Sequence, residues 1–396
     1  MNTSEIAEKQ KKYLIPTYAP ELALVRGAGT KVWDADGNEY LDFLAGIAVL
    51  NVGHCHPNVV TAIQEQAARL MHVSNLYYNE KQPQLAEKLS HAAGGGKCFF
   101  CNSGAEANEG LIKLARLWGA EQGKFEVITM KNSFHGRTLA TLTATGQDKV
   151  QKGFYPLPEG FKYAEFNNLD SCKEAVTEKT AAILVEAVQG EGGILPADPE
   201  FITGLRDLCD EKGILLLFDE VQSGIGRTGK WFGFQNYNVQ PDAFSLAKGL
   251  GNGFPIGAIV AAPSLSDIFQ PGHHATTFGG TPLACSAALA VLDTIEQENL
   301  LENATAMGQL LLKKLQPLVD QYNWIENVRG CGLMVGLVLN DNALPLMKAV
   351  QQKGLLTLAT AVRVLRMLPP LTVTTEEIDQ AVSILTEACN ELNSKL

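Results

Sequence analysis

Short apolar runs alternate with helix-like segments through the middle of the chain, and this alternation constrains the fold more than any other feature. The strand-like runs are GKCFFCNS, FEVITM, AAILVEAV, ILLLFDEV and GAIVAAP. Helical spacing marks GAEANEGLIKLARLWGAEQG and PEFITGLRDLCDEKG, and Gly213 closes the second helix. Strands that are apolar on both faces are typical of a parallel sheet covered by helices on both sides. We therefore predict the α/β fold class, with a large and mostly parallel sheet domain.

The two ends of the chain differ from its middle in their pattern of predicted helices and strands. TPLACSAALAVLDTIEQENL predicts a helix that Thr281 caps, with Pro282 in the first turn. Beyond about residue 303, helices flank short strands such as GLMVGLVL, which predicts a smaller α+β domain. Near the N-terminus, GTKVWDADGNEYLDF predicts a hairpin around Asp36 and Gly37 that packs on this small domain.

Charge and hydropathy argue against two classes of partner. The net charge of −11 argues against a nucleic-acid partner, which favours clustered Lys and Arg. No apolar run is long enough to span a bilayer, so no membrane partner is expected. The segment MNTSEIAEKQKKYLIP lacks the apolar core of an export signal, and the expected compartment is the cytosol.

The cysteines and histidines predict no metal site. The 8 cysteines are scattered, and free thiols are expected in a chain of this kind. CFFC has no second Cys pair to complete four zinc ligands, so it is interpreted as part of a buried strand. His54 and His56 are expected to serve a turn before Pro57.

GIGRTG, residues 224–229, matches the glycine pattern of a dinucleotide site after the strand ILLLFDEV. Such a site needs an amphipathic helix directly after the glycines. The segment KWFGFQNYNVQP is instead aromatic and broken by Pro241. A nucleotide-binding module through GIGRTG remains an alternative hypothesis from another functional class.

Asp219 and Lys248 together point to a cofactor. Asp219 ends an apolar strand, where open α/β sheets place ligands, and Lys248 follows about one β-α-β step later. A lysine in a desolvated site becomes nucleophilic and can form an imine. Pyridoxal phosphate needs such a lysine together with an anion at its ring nitrogen. The alternatives are a salt-bridging Asp219 and a solvent-facing Lys248.

Two further stretches could complete the cofactor site. Ser103, Gly104 and Ala105 lie where a strand gives way to a helix, whose N-terminus can bind phosphate. An ordinary helix cap by Ser103 is the alternative. In NSFHGRT, Phe134 could stack on a flat ring or simply pack in the core, and Arg137 could hold a carboxylate.

Five stretches resemble the class III (ornithine-type) pyridoxal-phosphate aminotransferases: NSGAEANE, SFHGRT, VEAVQGEGG, DEVQSGIGRTG and AKGLGNGFPIGA. The resemblance covers nearly the whole chain, although Ala187 stands where the family often has proline. It implies a fold-type I transferase and a homodimer with the active site at the subunit boundary. It also implies an N-terminal segment, 1–44, packed with the small domain, a large cofactor-binding domain, 45–295, and a small C-terminal domain, 296–396.

The resemblance also supplies residue roles. The predicted cofactor-binding residues are Ser103, Gly104, Ala105, Phe134, Asp219, Gln222, Lys248 and Thr277, with Lys248 and Asp219 catalytic. The predicted substrate-binding residues are Arg137, Glu191, Thr276 and Arg366. The family pattern implies that Gln222 bonds the cofactor's ring oxygen and that Thr277 reaches the phosphate of the neighbouring subunit. It further implies that Glu191 pairs with Arg366 and moves aside for a dicarboxylate.

Three segments, SFHGRTLATL, GLGNGFPIGA and TTFGGTPLAC, are most similar to family members that act on an N-acetylated diamine. The implied reaction transfers an amino group from N2-acetyl-L-ornithine to 2-oxoglutarate. Its products are N-acetylglutamate 5-semialdehyde and glutamate, in arginine biosynthesis. Transamination of ornithine, 4-aminobutyrate or succinylornithine, and an aminomutase reaction, remain alternatives.

Overall fold

The structure, a computed structural model, describes residues 1–394. The N-terminal part contains α1 (Thr3–Tyr13), β1 (Leu24–Ala28), β2 (Lys31–Asp34) and β3 (Glu39–Asp42). Strands β2 and β3 form the predicted antiparallel hairpin. The Asp34 carboxylate stabilises its turn by accepting hydrogen bonds from the Asp36 and Asn38 amides at 3.0 and 2.8 Å.

The middle of the chain supplies most of the helices and strands. They are α2 (Ala45–Ala48), α3 (Pro57–Arg69), α4 (Lys81–Ala93), β4 (Lys97–Cys101), α5 (Gly104–Gly119), β5 (Glu126–Met130), α6 (Leu139–Ala144), α7 (Asp148–Gln151), β6 (Phe161–Ala164), α8 (Leu169–Ala175), β7 (Thr180–Glu186), β8 (Val188–Gln189), β9 (Leu195–Pro196), α9 (Pro199–Lys212), β10 (Leu215–Asp219), β11 (Ala243–Leu246), β12 (Gly257–Ala261) and α10 (Pro282–Gln297). Short 3-10 helices span Ala120–Gln122, Gly233–Tyr237, Lys248–Leu250 and Pro263–Leu265. The CFFC motif lies within β4, as predicted.

A seven-stranded sheet in the order β4-β12-β11-β10-β7-β5-β6 forms the centre of the molecule. Strands β6, β5, β7, β10 and β11 run parallel, and β12 runs antiparallel to both of its neighbours. Helices cover both faces. Ile183 and Val185 of β7 pack in one apolar cluster with α9, while Ala182 and Leu184 pack in another with α5. The predicted α/β class with a mostly parallel sheet is therefore confirmed.

The C-terminal part is built around a second sheet. Its elements are α11 (Leu300–Gln321), β13 (Ile325–Cys331), β14 (Met334–Leu339), α12 (Leu344–Gln352), β15 (Leu355–Leu356), β16 (Leu358–Thr360), β17 (Val364–Met367) and α13 (Thr375–Asn393). Four strands in the order β13-β14-β17-β16 form this sheet, and every pair in it is antiparallel. The short strand β15 instead joins the N-terminal sheet, where it runs parallel to β3. The boundaries at residues 44 and 295 stay a prediction.

The topology places several strand ends at one edge. In the register of the central sheet, Asp219 of β10 is level with Glu186 of β7 and with Ser245 of β11. Because parallel strands end together, the residues that follow them share the crevice where α/β sheets bind ligands. Among residues 1–394, no helix is both long enough and apolar enough to cross a membrane.

Candidate active site

A cavity of about 390 Å³ opens at the carboxyl edge of the central sheet. Nine of the predicted site residues line it: Ser103, Gly104, Ala105, Phe134, Arg137, Glu191, Asp219, Gln222 and Lys248. The remaining three, Thr276, Thr277 and Arg366, lie outside its wall. Residues that are scattered along the sequence are thus brought into one cavity of a size suited to a small molecule.

Three close hydrogen bonds and a longer one, of 3.5 Å from the Ser245 hydroxyl, hold the Asp219 carboxylate in place. The side chain is 4% exposed, and it accepts from Asn108 Nδ2 at 2.7 Å, from the His135 ring Nδ1 at 2.8 Å and from the Val221 amide at 2.9 Å. Ser245 donates to Asn108 Oδ1 at 2.7 Å and so orients that amide. A buried carboxylate is costly without donors, and these donors let Asp219 present a fixed negative charge to the cavity.

Lys248 begins the 3-10 turn that follows β11, and its φ of 45° lies in the left-handed region. Such a backbone is strained in a residue other than glycine, and this strain is commonly found at functional sites. Burial lowers the pKa of the Lys248 ammonium to about 8, and the nearby Arg366 cation acts in the same direction. The carboxylates of Glu191, Asp219 and Glu186 oppose this shift of the pKa. More of the nucleophilic free amine is therefore present near neutral pH.

The N-terminus of α5 forms a second wall of the cavity. Ser103 caps the helix by accepting a hydrogen bond from the Glu106 amide at 3.2 Å. This cap was the alternative interpretation of Ser103, and it is compatible with an anion site because the next two residues also line the cavity. A Cβ added at Gly104 would lie 2.7 Å from Cγ1 of Val221, so only glycine fits there. The exposed amides and the helix dipole favour an anion at this wall.

The loop after β5 contributes Phe134 and Arg137. Phe134 is half-buried, and its amide donates to Glu186 Oε2 at 3.3 Å. Arg137 is exposed, with its guanidinium carbon 5.6 Å from the centre of the Phe134 ring. The pair therefore offers an aromatic ring and a carboxylate-binding cation at the rim of the cavity.

Glu191 and Arg366 form an ion pair in which Arg366 Nη1 lies 2.5 Å from Glu191 Oε1. The Arg366 side chain is fully buried, whereas that of Glu191 is 30% exposed. Nε and Nη2 of Arg366 have no hydrogen-bond partner among residues 1–394. A buried guanidinium with two unpaired donor nitrogens can bind a further anion, and Glu191 is the partner that is open to solvent.

Gln222 presents an unpaired polar atom. The residue is 9% exposed, and no partner for its Oε1 lies in the described part of the chain. A Cβ added at Gly190 would lie only 2.1 Å from that oxygen, so the glycine of the QGEGG motif makes room for the amide. Buried amide groups normally have hydrogen-bond partners, and Gln222 is therefore free to bond a bound ligand.

Thr276 and Thr277 are not assembled into the cavity by this single chain. Thr276 Oγ1 accepts hydrogen bonds from Asn102 Nδ2 and from the Gly279 amide, each at 3.2 Å, and Asn102 is a wall residue. Thr277 is exposed. Their functional roles stay predictions that require a second subunit.

Several residues that line the cavity, including Asn108 and His135, had no predicted role. Glu186 had no predicted role either; it is 6% exposed, and its pKa is raised well above its usual range by burial and by the charge of Asp219. Burial likewise raises the pKa of Glu220 to about 7, although the Ser223 hydroxyl and two amides donate to it. Glu186 ends strand β7 as Asp219 ends strand β10, and this shared position was the sequence signal that could have identified Glu186.

The GIGRTG segment does not form a nucleotide site. Residues 224–229 form turns, and the next helical residues, Gly233–Tyr237, form only a short 3-10 turn. The Arg227 side chain is fully buried in contacts with the protein itself. Because the helix N-terminus that a dinucleotide requires is absent at residues 224–240, the structure provides no support for this alternative.

The chain is similar to known aminotransferases over nearly its full length. A family model described as aminotransferase class III matches residues 16–389. The chain is 50% identical over 398 residues to the acetylornithine aminotransferase of Methanocaldococcus jannaschii, covering 99% of this chain and 100% of that protein. It is 52% identical to the acetylornithine aminotransferase of Caldanaerobacter subterraneus subsp. tengcongensis, covering 97% and 98% of the two chains.

Solved structures share the whole architecture. An ornithine aminotransferase from Toxoplasma gondii, which shows partial occupancy of pyridoxal phosphate at its active site, has a TM-score of 0.95 at 31% identity and covers 99% of this chain and 95% of that one. The acetylornithine aminotransferase of Elizabethkingia anophelis has a TM-score of 0.89 at 33% identity, covering 99% and 100%.

Proposed function

The chain belongs to the class III aminotransferases, and from this premise we propose that it transfers the side-chain amino group of N2-acetyl-L-ornithine to 2-oxoglutarate. The products are N-acetylglutamate 5-semialdehyde and glutamate, in a step of arginine biosynthesis. The observation that carries the reaction type is the cavity that holds both Lys248 and Asp219. The choice of amine donor is supported by curated relatives at 50% and 52% identity over nearly the full length.

Pyridoxal phosphate, the cofactor of this family, fits the residues present. Lys248 offers an amine whose pKa is lowered to about 8 by burial, and Asp219 offers an oriented carboxylate. Gln222 has an unpaired oxygen, and the residues at the N-terminus of α5, Gly104 and Ala105, line the cavity where a phosphate could bind. When bound, the cofactor supplies an aldehyde that reacts with amines and a ring that withdraws electrons.

Lys248 and Asp219 have different roles in the proposed reaction. Lys248 would hold the cofactor and, as a free amine, would move a proton at the substrate carbon that bears the amino group. General acid–base transfer of this kind accelerates a reaction by ~10²–10⁴-fold. Asp219 would favour the protonated form of the cofactor's ring nitrogen, because its hydrogen-bond donors keep the carboxylate in position at the cavity wall.

Glu191 and Arg366 allow one site to accept two substrates. Near the reacting carbon, acetylornithine presents a neutral methylene chain, whereas 2-oxoglutarate presents a carboxylate. With the first substrate, Glu191 neutralises Arg366 across their 2.5 Å contact. With the second, Glu191 moves aside and the carboxylate takes its place, because a fully buried cation needs an anion in both half-reactions. Arg137 binds the other carboxylate group.

The same proposal includes a homodimer in the cytosol, without a nucleic-acid partner, in which Thr277 reaches the phosphate bound by the neighbouring subunit. An apolar patch around Thr277, formed by Leu76, Tyr77, Tyr78 and Phe278, is exposed in the single chain. Asn75 Nδ2 ties this loop to Thr276 O at 3.1 Å, so the patch and the threonines form one surface. Exposed apolar patches of this kind mark protein–protein contacts.

The test is a panel of half-reactions on the purified holoenzyme with acetylornithine, succinylornithine, ornithine and 4-aminobutyrate as donors. The highest kcat/KM is expected with acetylornithine; a clear preference for another donor would reject the substrate assignment.

Arg366→Ala should raise the KM for 2-oxoglutarate more than the KM for acetylornithine. Equal changes in both would reject the Glu191–Arg366 exchange.

A further inference from the structure

Arg227, in the GIGRTG segment, is a buried cation without an acidic partner. Its side chain is 0% exposed, and burial alone lowers the pKa of its guanidinium to about 9. Within residues 1–394 its hydrogen bonds go only to uncharged oxygens, and its Nε has no partner. Burying an unpaired charge is expensive, so a specific structural benefit must offset it.

The acceptors of Arg227 come from separate segments of the chain. Nη2 donates to Asn51 Oδ1 at 2.6 Å, in the segment after α2. Nη1 donates to the Pro369 carbonyl just beyond β17, and more weakly, at 3.5 Å, to Leu333 O in the β13–β14 turn. The planar fork of the guanidinium therefore joins the loop after β10 to both the N-terminal and the C-terminal parts of the molecule.

The hydrogen bond to Asn51 links Arg227 to the turn that carries Lys248. Asn51 also donates through Nδ2 to Ile225 O at 2.6 Å, so its amide is fixed on both sides. A Cβ added at Gly249 would lie 2.2 Å from Asn51 Nδ2, which shows that this amide packs directly on the backbone next to Lys248.

The hydrogen bond to the Pro369 carbonyl links Arg227 to the backbone segment that carries Arg366. Pro369 closes the short segment that begins with Arg366 in β17. The intervening Leu368 donates its amide to Phe43 O at 2.6 Å, and Leu371 donates its amide to Asn51 O at 2.7 Å. The backbone that carries Arg366 is thus tied to the same Asn51 that supports the Lys248 turn.

We propose that Arg227 is a positioning residue that fixes the distance between Lys248 and Arg366. It would thereby control the binding of the dicarboxylate substrate, which alone needs both groups. This inference rests on the proposed function. An ammonium group cannot span the Asn51 and Pro369 oxygens as the guanidinium does, so Arg227→Lys keeps the charge and removes the brace.

The experiment compares Arg227→Lys with a matched control, Arg206→Lys. Arg206 lies on α9 and pairs with Asp210 and Asp242, away from the cavity. Half-reactions of each holoenzyme are measured separately with acetylornithine and with 2-oxoglutarate. Equilibrium binding of glutarate, which has two carboxylates but cannot react, is measured by calorimetry.

Arg227→Lys should raise the KM for 2-oxoglutarate and weaken glutarate binding about tenfold, while the acetylornithine half-reaction changes less than about threefold. Arg206→Lys should change neither. If Arg227→Lys does not fold, Asn51→Ala removes one acceptor, leaves the guanidinium in place and should give the same split. Equal losses in both half-reactions, or no loss, would overturn the inference. A wild-type protein that fails with acetylornithine would instead overturn the proposed function.

Discussion

At the scale of single residues, Lys248 is placed where its charge reduces the stability of the fold. Burial lowers the pKa of its ammonium to about 8 from an ordinary value of 10.5. Below pH 8 the side chain is charged in both the folded and the unfolded protein, so the full penalty applies. As the pH rises from 8 to 10.5, the folded state loses its proton first and the penalty disappears.

Lys248→Met should therefore stabilise the cofactor-free protein at pH 7, as a trade between stability and activity predicts. The gain in Tm over wild type should shrink as the pH rises above 8. Thermal unfolding followed by circular dichroism at pH 7 to 9.5 measures both trends. Lys97→Met, at an exposed lysine paired with Asp267, is the control and should show no such pH-dependent gain. A variant that is less stable than wild type at pH 7 would contradict this account of Lys248.

Sequence patterns indicated Asp219 and Lys248, which line the cavity, better than the residues that hold them in place. Asp219 ends one apolar strand and Lys248 follows another, and these positions favour the ligand edge of the sheet. Asn108 and His135 contact Asp219 from 111 and 84 residues away, so no local pattern reveals them. The Glu191–Arg366 contact joins residues 175 apart, and only the family resemblance indicated it.

At the scale of elements, the N-terminus of α5 combines a structural cap with the proposed phosphate site. The Ser103 hydroxyl accepts a hydrogen bond from the Glu106 amide at 3.2 Å. At the start of α13, the Thr374 hydroxyl accepts a hydrogen bond from the Glu377 amide at the same distance. Ser103→Ala and Thr374→Ala should each lower the free energy of unfolding by about 1 kcal/mol. Only Ser103→Ala should also weaken the binding of pyridoxal phosphate to the cofactor-free protein.

Urea unfolding and fluorescence titration with the cofactor measure the two effects separately. Equal cofactor affinity in both variants would show that α5 is capped at this end but does not hold the phosphate.

The elements themselves were predicted from local patterns, whereas their arrangement was only partly predicted. Apolar runs identified the strands of the central sheet, because both faces of those strands are buried. Strand β12 is antiparallel both to β11, which precedes it in the chain, and to β4, more than 150 residues earlier, as in the pairing of Ile259 with Phe99. Glycine spacing in GIGRTG matched a dinucleotide loop, but the missing helix and the buried Arg227 rule out that geometry.

At the scale of the whole molecule, the single chain does not bring Thr277 to its own cavity. If Thr277 serves the neighbouring subunit, defects at Lys248 and Thr277 should complement each other. In a mixed dimer of Lys248→Ala with Thr277→Asp, one site carries both changes and the other carries neither. The mixed dimer of the two inactive variants should therefore have about half of wild-type activity.

Co-expression with two different affinity tags, followed by isolation of the mixed dimer, tests this expectation. Each variant alone should have little activity, because Thr277→Asp places a negative charge beside the phosphate. A mixed dimer without recovered activity would place Thr277 outside the partner's site.

The N-terminal hairpin illustrates what the sequence could predict at this scale. Its turn around Asp36 and Gly37 was predicted from local chemistry, and its contact with the C-terminal part takes the form of the β3–β15 pair. The pairing partner, Leu355–Leu356, is too short to be recognised as a strand from sequence. Thr30 adds a hydrogen bond of 3.1 Å to Glu377 at the start of α13.

In the proposed reaction one amine, that of Lys248, carries pyridoxal phosphate and the amino-transfer chemistry. Borohydride reduction of the cofactor-loaded protein, followed by peptide mapping with mass spectrometry, tests it most directly. We expect a pyridoxyl group on Lys248 and on no other lysine, with loss of the visible absorbance. A label on a different lysine, or no label in a protein that still transaminates, would contradict it.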